Sequence, residues 1–193
     1  MIKPQPPEPR IDRLDPAATR EALPELAGLL ADAVESGASV GFMNWNAHAD
    51  YEAFWAGVLG EVEAGRTLLF VAREGRDLLG TAQLHLIAKP NQPHRAEIAK
   101  VLVRSRARRR GLGAALMRAA EEAARAAGRT LLVLDTDENG PARSLYNRLG
   151  WIEVGTIPRF ALMPDGADCG STFFYKSLSP PQPRPDAQAP GAA

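Results

Sequence analysis

A single cysteine, Cys169, cannot form an intramolecular disulfide, and with only His48, His85 and His94 beside it the chain lacks the ligands of a Cys-rich zinc site. No metal is expected. An excess of charge of one sign is also missing: 23 Lys and Arg balance 23 Asp and Glu, so composition does not point to wrapping a nucleic-acid backbone or coating an anionic membrane. No apolar run approaches the ~20 residues that cross a bilayer. The proline-rich N-terminus lacks the apolar core of a secretory signal. The expectation is a soluble, cytoplasmic protein with no nucleic-acid or membrane partner. Its 193 residues, 45% of them apolar, suit one main domain.

Nine of the sixteen prolines crowd the two ends. Neither end carries the periodic apolar pattern that buries surface and offsets ordering entropy. Residues 1–9 and 179–193 are therefore expected to be disordered tails, and residues 10–178 the folded unit. Within it, Ile11 and Leu14 mark a short strand, and Asp15-Pro16 reads as an N-cap with proline at the first helical position. Helical spacing then runs to Gly37, with Pro24 leaving open whether this is one helix or a turn followed by one. A second helix follows, with Asp50 as its cap and an apolar stripe from Tyr51 to Val62.

From Thr67 the apolar period changes, and residues 68–71, 78–86 and 96–103 read as an antiparallel meander. Residues 111–127 form a helix with Leu112, Ala115, Leu116, Ala119 and Ala123 inward and Arg118, Glu121, Glu122 and Arg125 outward. A buried strand at 130–135, a helix at 141–149 and strands at 151–162 and 171–178 complete the unit. Strand, helix, strand across 96–135 requires a right-handed crossover. The fold class is thus α/β (α+β), a mixed, mostly antiparallel sheet of about seven strands flanked by four helices. Strands left exposed near the C-terminus fit either a monomer or a homodimer.

The most informative segment leaves the strand ending at Val103 and enters the helix starting near Gly111. Arg108-x-x-Gly111-x-Gly113 puts glycines where backbone comes close to a ligand, and the first helical amides are unpaired donors at the positive end of a dipole. Five arginines within residues 104–110 add local positive charge. This is the chemistry of anion capture, and a pyrophosphate would fit there. The turn is not a P-loop, because no Lys-Ser or Lys-Thr pair follows the second glycine, and it lacks the full dinucleotide fingerprint. The same residue types also occur as an ordinary strand-to-helix turn or a solvated basic face.

Two separated motifs resemble the GNAT superfamily of acetyltransferases: this turn, and Asn139-x-x-Ala142-x-x-Leu145-Tyr146-x-x-Leu149-Gly150-Trp151. The resemblance covers residues 10–178 and implies the GNAT fold with acetyl-CoA as co-substrate. Segments 37–42, 94–97, 131–136 and 172–176 further resemble the tabtoxin-resistance branch, whose enzymes acetylate an amine-bearing β-lactam. By that resemblance, Arg108, Arg109, Arg110, Gly111, Leu112, Gly113 and Ala114 hold the CoA pyrophosphate, with Arg143 as a further CoA contact; Asn139 either orders the turn before Pro141 or contacts CoA as well. Val101, Leu102 and Val103 offer backbone groups to the pantetheine arm.

Direct acetyl transfer to an amine also needs a base for the ammonium and an acid for the thiolate. Tyr146 fits the acid, since a phenol with an ordinary pKa of ~10 is protonated at neutral pH. Glu97, before the apolar part of its strand, is the leading candidate for the base, and Asp135, at the carboxyl end of its strand, is a second carboxylate that fits the base or anchors a substrate cation. Phe42, Trp45 and His48 lie in the expected acceptor region. Cys169 has no evident base beside it, so an acetyl-cysteine route is not expected. Acetylation of a small amine is the leading expectation. Acetylation of a protein lysine or N-terminus and a CoA-binding sensor without turnover remain open beside it.

Overall fold

Asp15 starts the first helix as its type predicts, its carboxylate accepting the Ala18 amide at 2.8 Å with Pro16 at the first helical position. In this computed structural model, which describes residues 9–178, α1 (Pro16–Glu35) runs unbroken through Pro24. The proline removes one backbone bond, but Leu26, Leu29, Leu30 and Val34 hold the helix by burying one face against the sheet. The second helix differs from expectation. α2 (His48–Glu63) is capped at Ala47, not Asp50. Asp50 instead sits one turn in and reaches back to accept the Ala47 amide at 2.8 Å, the acidic half of a capping box. The expected disordered tails lie outside the described residues.

The strands are β1 (Arg10–Leu14), β2 (Thr67–Glu74), β3 (Asp77–Leu86), β4 (Arg95–Val103), β5 (Leu131–Asp137), β6 (Ile152–Leu162) and β7 (Asp168–Ser177). They form one seven-stranded sheet in the order β1-β2-β3-β4-β5-β7-β6. Only β4 and β5 are parallel, and the crossover between them carries α3 (Leu112–Ala126). With α4 (Ala142–Arg148) after β5, the mixed sheet and four helices match the expected class.

Alternation of side chains sends the two faces of the sheet to different cores. Leu69, Val71, Leu78 and Leu102 pack on α1 and α2. Phe70, Leu79, Leu84, Ile98, Leu132 and Leu134 pack with the apolar side of α3 and with Tyr146 of α4.

Glu121 of α3 corrects the helical pattern. Expected outside, it is 4% exposed, where it accepts Trp151 Nε1 at 2.9 Å and Lys176 Nζ at 2.7 Å. Two partners from other elements make burial of that carboxylate tolerable. At the far edge, β6 is exposed along its length.

Candidate active site

The β4–β5 pairing stops early. Parallel register holds only from Arg95↔Leu131 to Glu97↔Val133, after which residues 98–103 and 134–137 diverge and leave facing backbone groups without strand partners. Ligands of open α/β sheets bind at such carboxyl ends of parallel strands. A bulge in β4 accompanies the divergence: Thr81 pairs with Leu102 and Gln83 with Ala99, so Lys100 and Val101 together oppose Ala82. Lys100 there adopts φ +49, and Val101 and Leu102 then face opposite cores.

Beyond Val103 the chain makes a short 3-10 turn (Ser105–Ala107) that sequence patterning did not show, then reaches Gly111, whose φ of +82 makes it the N-cap of α3. A left-handed conformation at this position favours glycine. The amides of Leu112, Gly113 and Ala114 precede the first helical bond, Ala115 N to Gly111 O at 3.1 Å, and so remain free as donors at the helix start. Gly113 lies against α4: a Cβ there would meet Leu145 Cδ2 at 3.2 Å.

The arginines are less free than their number implies. Arg104 is structural, donating to the carbonyls of Leu78 at 2.9 Å and of Gly28 and Glu25 at 3.3 Å. Arg106 pairs with Asp77 and Arg110 with Glu74. Arg108 Nε bonds the Val103 carbonyl at 3.3 Å. Arg109 is exposed, and its backbone is left-handed with φ +64. Arg143 is engaged by Glu153 through two bonds of 2.9 and 2.8 Å. Asn139 is exposed, and the turn before α4 is ordered by the Asp137 carboxylate, which accepts the Asn139 amide at 2.8 Å.

Glu97 and Asp135 stand on the two strands that separate, and Tyr146 is near enough to Asp135 to feel its charge. Glu97 is the last β4 residue paired to β5; it sits opposite His85 and 3.8 Å from Arg95. Asp135 accepts the Ser171 hydroxyl at 2.6 Å. Tyr146 packs against Phe174 and Trp151, with ring centroids 5.6 and 6.2 Å away. Burial, then the Asp135 charge, pushes its phenol well above the ordinary tyrosine value, so it holds its proton throughout the neutral range.

Asp135 also acts on Lys100. Burial lowers the lysine pKa and the carboxylate works against that shift. Lys100, Gln83 and His85 were missed in the sequence. One signal was present: strict alternation would place Lys100 on the face of Ile98, an apolar position, and a lysine there marks a bulge.

The aromatic expectations divide. Phe42 is half-buried, packed edge-to-face on Tyr51 at 5.2 Å and Phe54 at 5.6 Å. Trp45 stands in solvent at 72% exposure. His48 is exposed in the first turn of α2, 3.8 Å from Glu52. Cys169 is buried and its thiol pKa is raised, first by desolvation. Among the described residues no group of three or more His, Cys, Asp or Glu is arranged to hold a metal ion, and no helix is long and apolar enough to cross a membrane.

Comparison with known proteins gives a consistent result. The model of the acetyltransferase (GNAT) family matches residues 32–151. An uncharacterized N-acetyltransferase from the hisH-hisA intergenic region of Azospirillum brasilense is 36% identical over 130 residues, covering 66% of this chain and 75% of that one. Among solved structures, a ribosomal-protein-alanine N-acetyltransferase from Brucella melitensis superposes with TM-score 0.72 at 24% identity, over 88% of this chain and 99% of that one. A protein of Salmonella typhimurium solved with its cofactor acetyl-CoA superposes with TM-score 0.73 at 18% identity, over 96% and 99% of the two chains. At these identities the structural likeness is one of fold.

Proposed function

The chain belongs to the acetyltransferase (GNAT) family, and we propose that it moves the acetyl group of acetyl-CoA directly to the amine of a small molecule. It is an acyltransferase, and acetyl-CoA is its co-substrate. The observation that carries the site is the divergence of β4 and β5 beside the unpaired amides of Leu112, Gly113 and Ala114. Those amides suit a pyrophosphate, and the freed edge of residues 98–103 suits an amide-bearing arm.

The sheet separates donor from acceptor. Tyr146 lies in the α3-side core, whereas Glu97 shares the opposite face with His85. In the transfer, the amine nitrogen forms a bond to the thioester carbonyl carbon, and the carbon–sulfur bond breaks. Glu97, through water, receives the proton leaving the ammonium, and Tyr146 gives a proton to the departing thiolate. Burial, first of all, pushes the His85 pKa below the ordinary histidine value, which disfavours an imidazolium partner for the Glu97 carboxylate. Among small amines, a β-lactam amino-acid toxin is the candidate that the sequence resemblance favours.

CoA-release rates measured across pH with an amine panel test these roles. Tyr146→Phe is expected to lower kcat by roughly a hundredfold, with acetyl-CoA affinity within about twofold of wild type. Glu97→Gln is expected to flatten the rise of rate with pH. Unchanged kcat in Tyr146→Phe removes it as the acid, and an unchanged profile in Glu97→Gln moves the base elsewhere.

A further inference from the structure

On the α2 side of the sheet lies an open cavity of about 450 Å³. Phe54 and Val58 of α2 form its apolar wall, and Gln83, His85 and Lys100 line its floor. Cross-strand register places Gln83 opposite Ala99, next to the bulged Lys100, and His85 opposite Glu97. The cavity therefore adjoins the point where β4 and β5 separate.

Its polar groups are short of acceptors. Gln83 is 1% exposed, yet its Nε2 has no hydrogen-bond partner; a buried donor left unpaired is costly and uncommon. The terminal torsion of glutamine is broad, so rotation of the amide alone can present its NH₂ to the cavity that Gln83 lines.

Among the described residues Lys100 makes no hydrogen bond and no ion pair within contact distance; its ammonium lies 5.2 Å from the centre of the Phe54 ring. His85 is held through Nδ1 by Thr67 Oγ1 at 2.8 Å. With the Thr67 hydroxyl donating, Nε2 carries a hydrogen and is a third donor.

The carboxylates that face this group have other engagements. Glu61, on the rim, is bound by Arg66 through two bonds of 2.7 Å. Glu97 has Arg95 at 3.8 Å. Asp135 accepts the Ser171 hydroxyl and attracts Lys100 only from beyond contact distance. A cation and two neutral donors converge without an anion of their own, beside an apolar wall. Resting on the acetyl-transfer reading, we propose that Lys100, Gln83 and His85 bind the carboxylate of the acceptor, so that the substrate is a small amine carrying a carboxylate.

The full chain, ¹⁵N-labelled, is titrated with N-acetylglycine and, separately, with its neutral counterpart N-acetylglycinamide, while the Gln83 side-chain NH₂ signals are followed. Gln83→Leu identifies those signals by their loss. N-acetylglycine is expected to shift them saturably and to bind about tenfold more tightly than the carboxamide, a difference typical of one charge-assisted contact. Lys100→Met is expected to remove that preference, and Lys100→Arg to keep it.

The proposal is overturned if N-acetylglycine leaves the Gln83 signals unmoved, if the two compounds bind alike, or if the preference survives in a folded Lys100→Met. The wild-type comparison decides by itself if that variant does not fold. Acetyl-CoA added to the same sample reports on the amides of residues 112–114, so failure of the donor site is seen separately from failure of the carboxylate site.

Discussion

Gly111→Val is expected to lower acetyl-CoA affinity by at least a factor of about 100, measured by calorimetric titration, and to shift the melting temperature by only a few degrees. Space is not the obstacle, since a Cβ at this position meets no atom within 4 Å. The obstacle is the backbone. At φ +82 a β-branched side chain costs more than the ~1–2 kcal/mol of an ordinary residue in the left-handed region. The chain relieves this by rotating φ negative, which swings the Leu112, Gly113 and Ala114 amides away from their common direction. Gly111→Ala should fall between the two. A folded valine variant that binds acetyl-CoA within about threefold of wild type contradicts the phosphate-turn assignment.

Glu121→Leu carries the largest expected effect on stability, about 3–5 kcal/mol. The substitution removes the acceptor of Trp151 Nε1 and leaves the Lys176 ammonium, whose side chain is 19% exposed, with the Leu149 carbonyl alone. For a domain of this size that loss corresponds to a fall of roughly 10 °C in melting temperature. Adding Lys176→Met should recover part of it, because an apolar pair in the same place leaves no buried charge unpaired. Calorimetric melting of the single and double variants checks both statements. A single variant melting within about 2 °C of wild type removes the carboxylate from its place in the core.

Local chemistry made the sequence legible. Asp15-Pro16 predicted a helix start because capping is decided within one turn, and Gly111-x-Gly113 predicted a close-approach turn because few residues adopt its backbone. The seven strands followed from period and punctuation. What the sequence concealed depends on partners far along the chain.

Glu121 sits on an exposed-looking stripe until Trp151 and Lys176 arrive from other elements. Arg104 looks like one cation in a basic run, but its acceptors are carbonyls of Glu25, Gly28 and Leu78. Asp50 reads in the sequence as a cap but sits one turn inside α2, since a capping residue and the acidic residue that reaches back to it share one composition. Lys100 was hidden by the bulge that displaces it, although its break in alternation was visible.

The central claim is that acetyl-CoA binds with its pyrophosphate on the start of α3 and its arm in the gap between β4 and β5. Amide hydrogen exchange with and without saturating acetyl-CoA tests it most directly. The account predicts slowed exchange at Leu112, Gly113 and Ala114, together with residues 98–103 on the freed edge of β4. Acetyl-CoA binding that leaves these amides exchanging at their free rates, with protection placed elsewhere on the molecule, would contradict it.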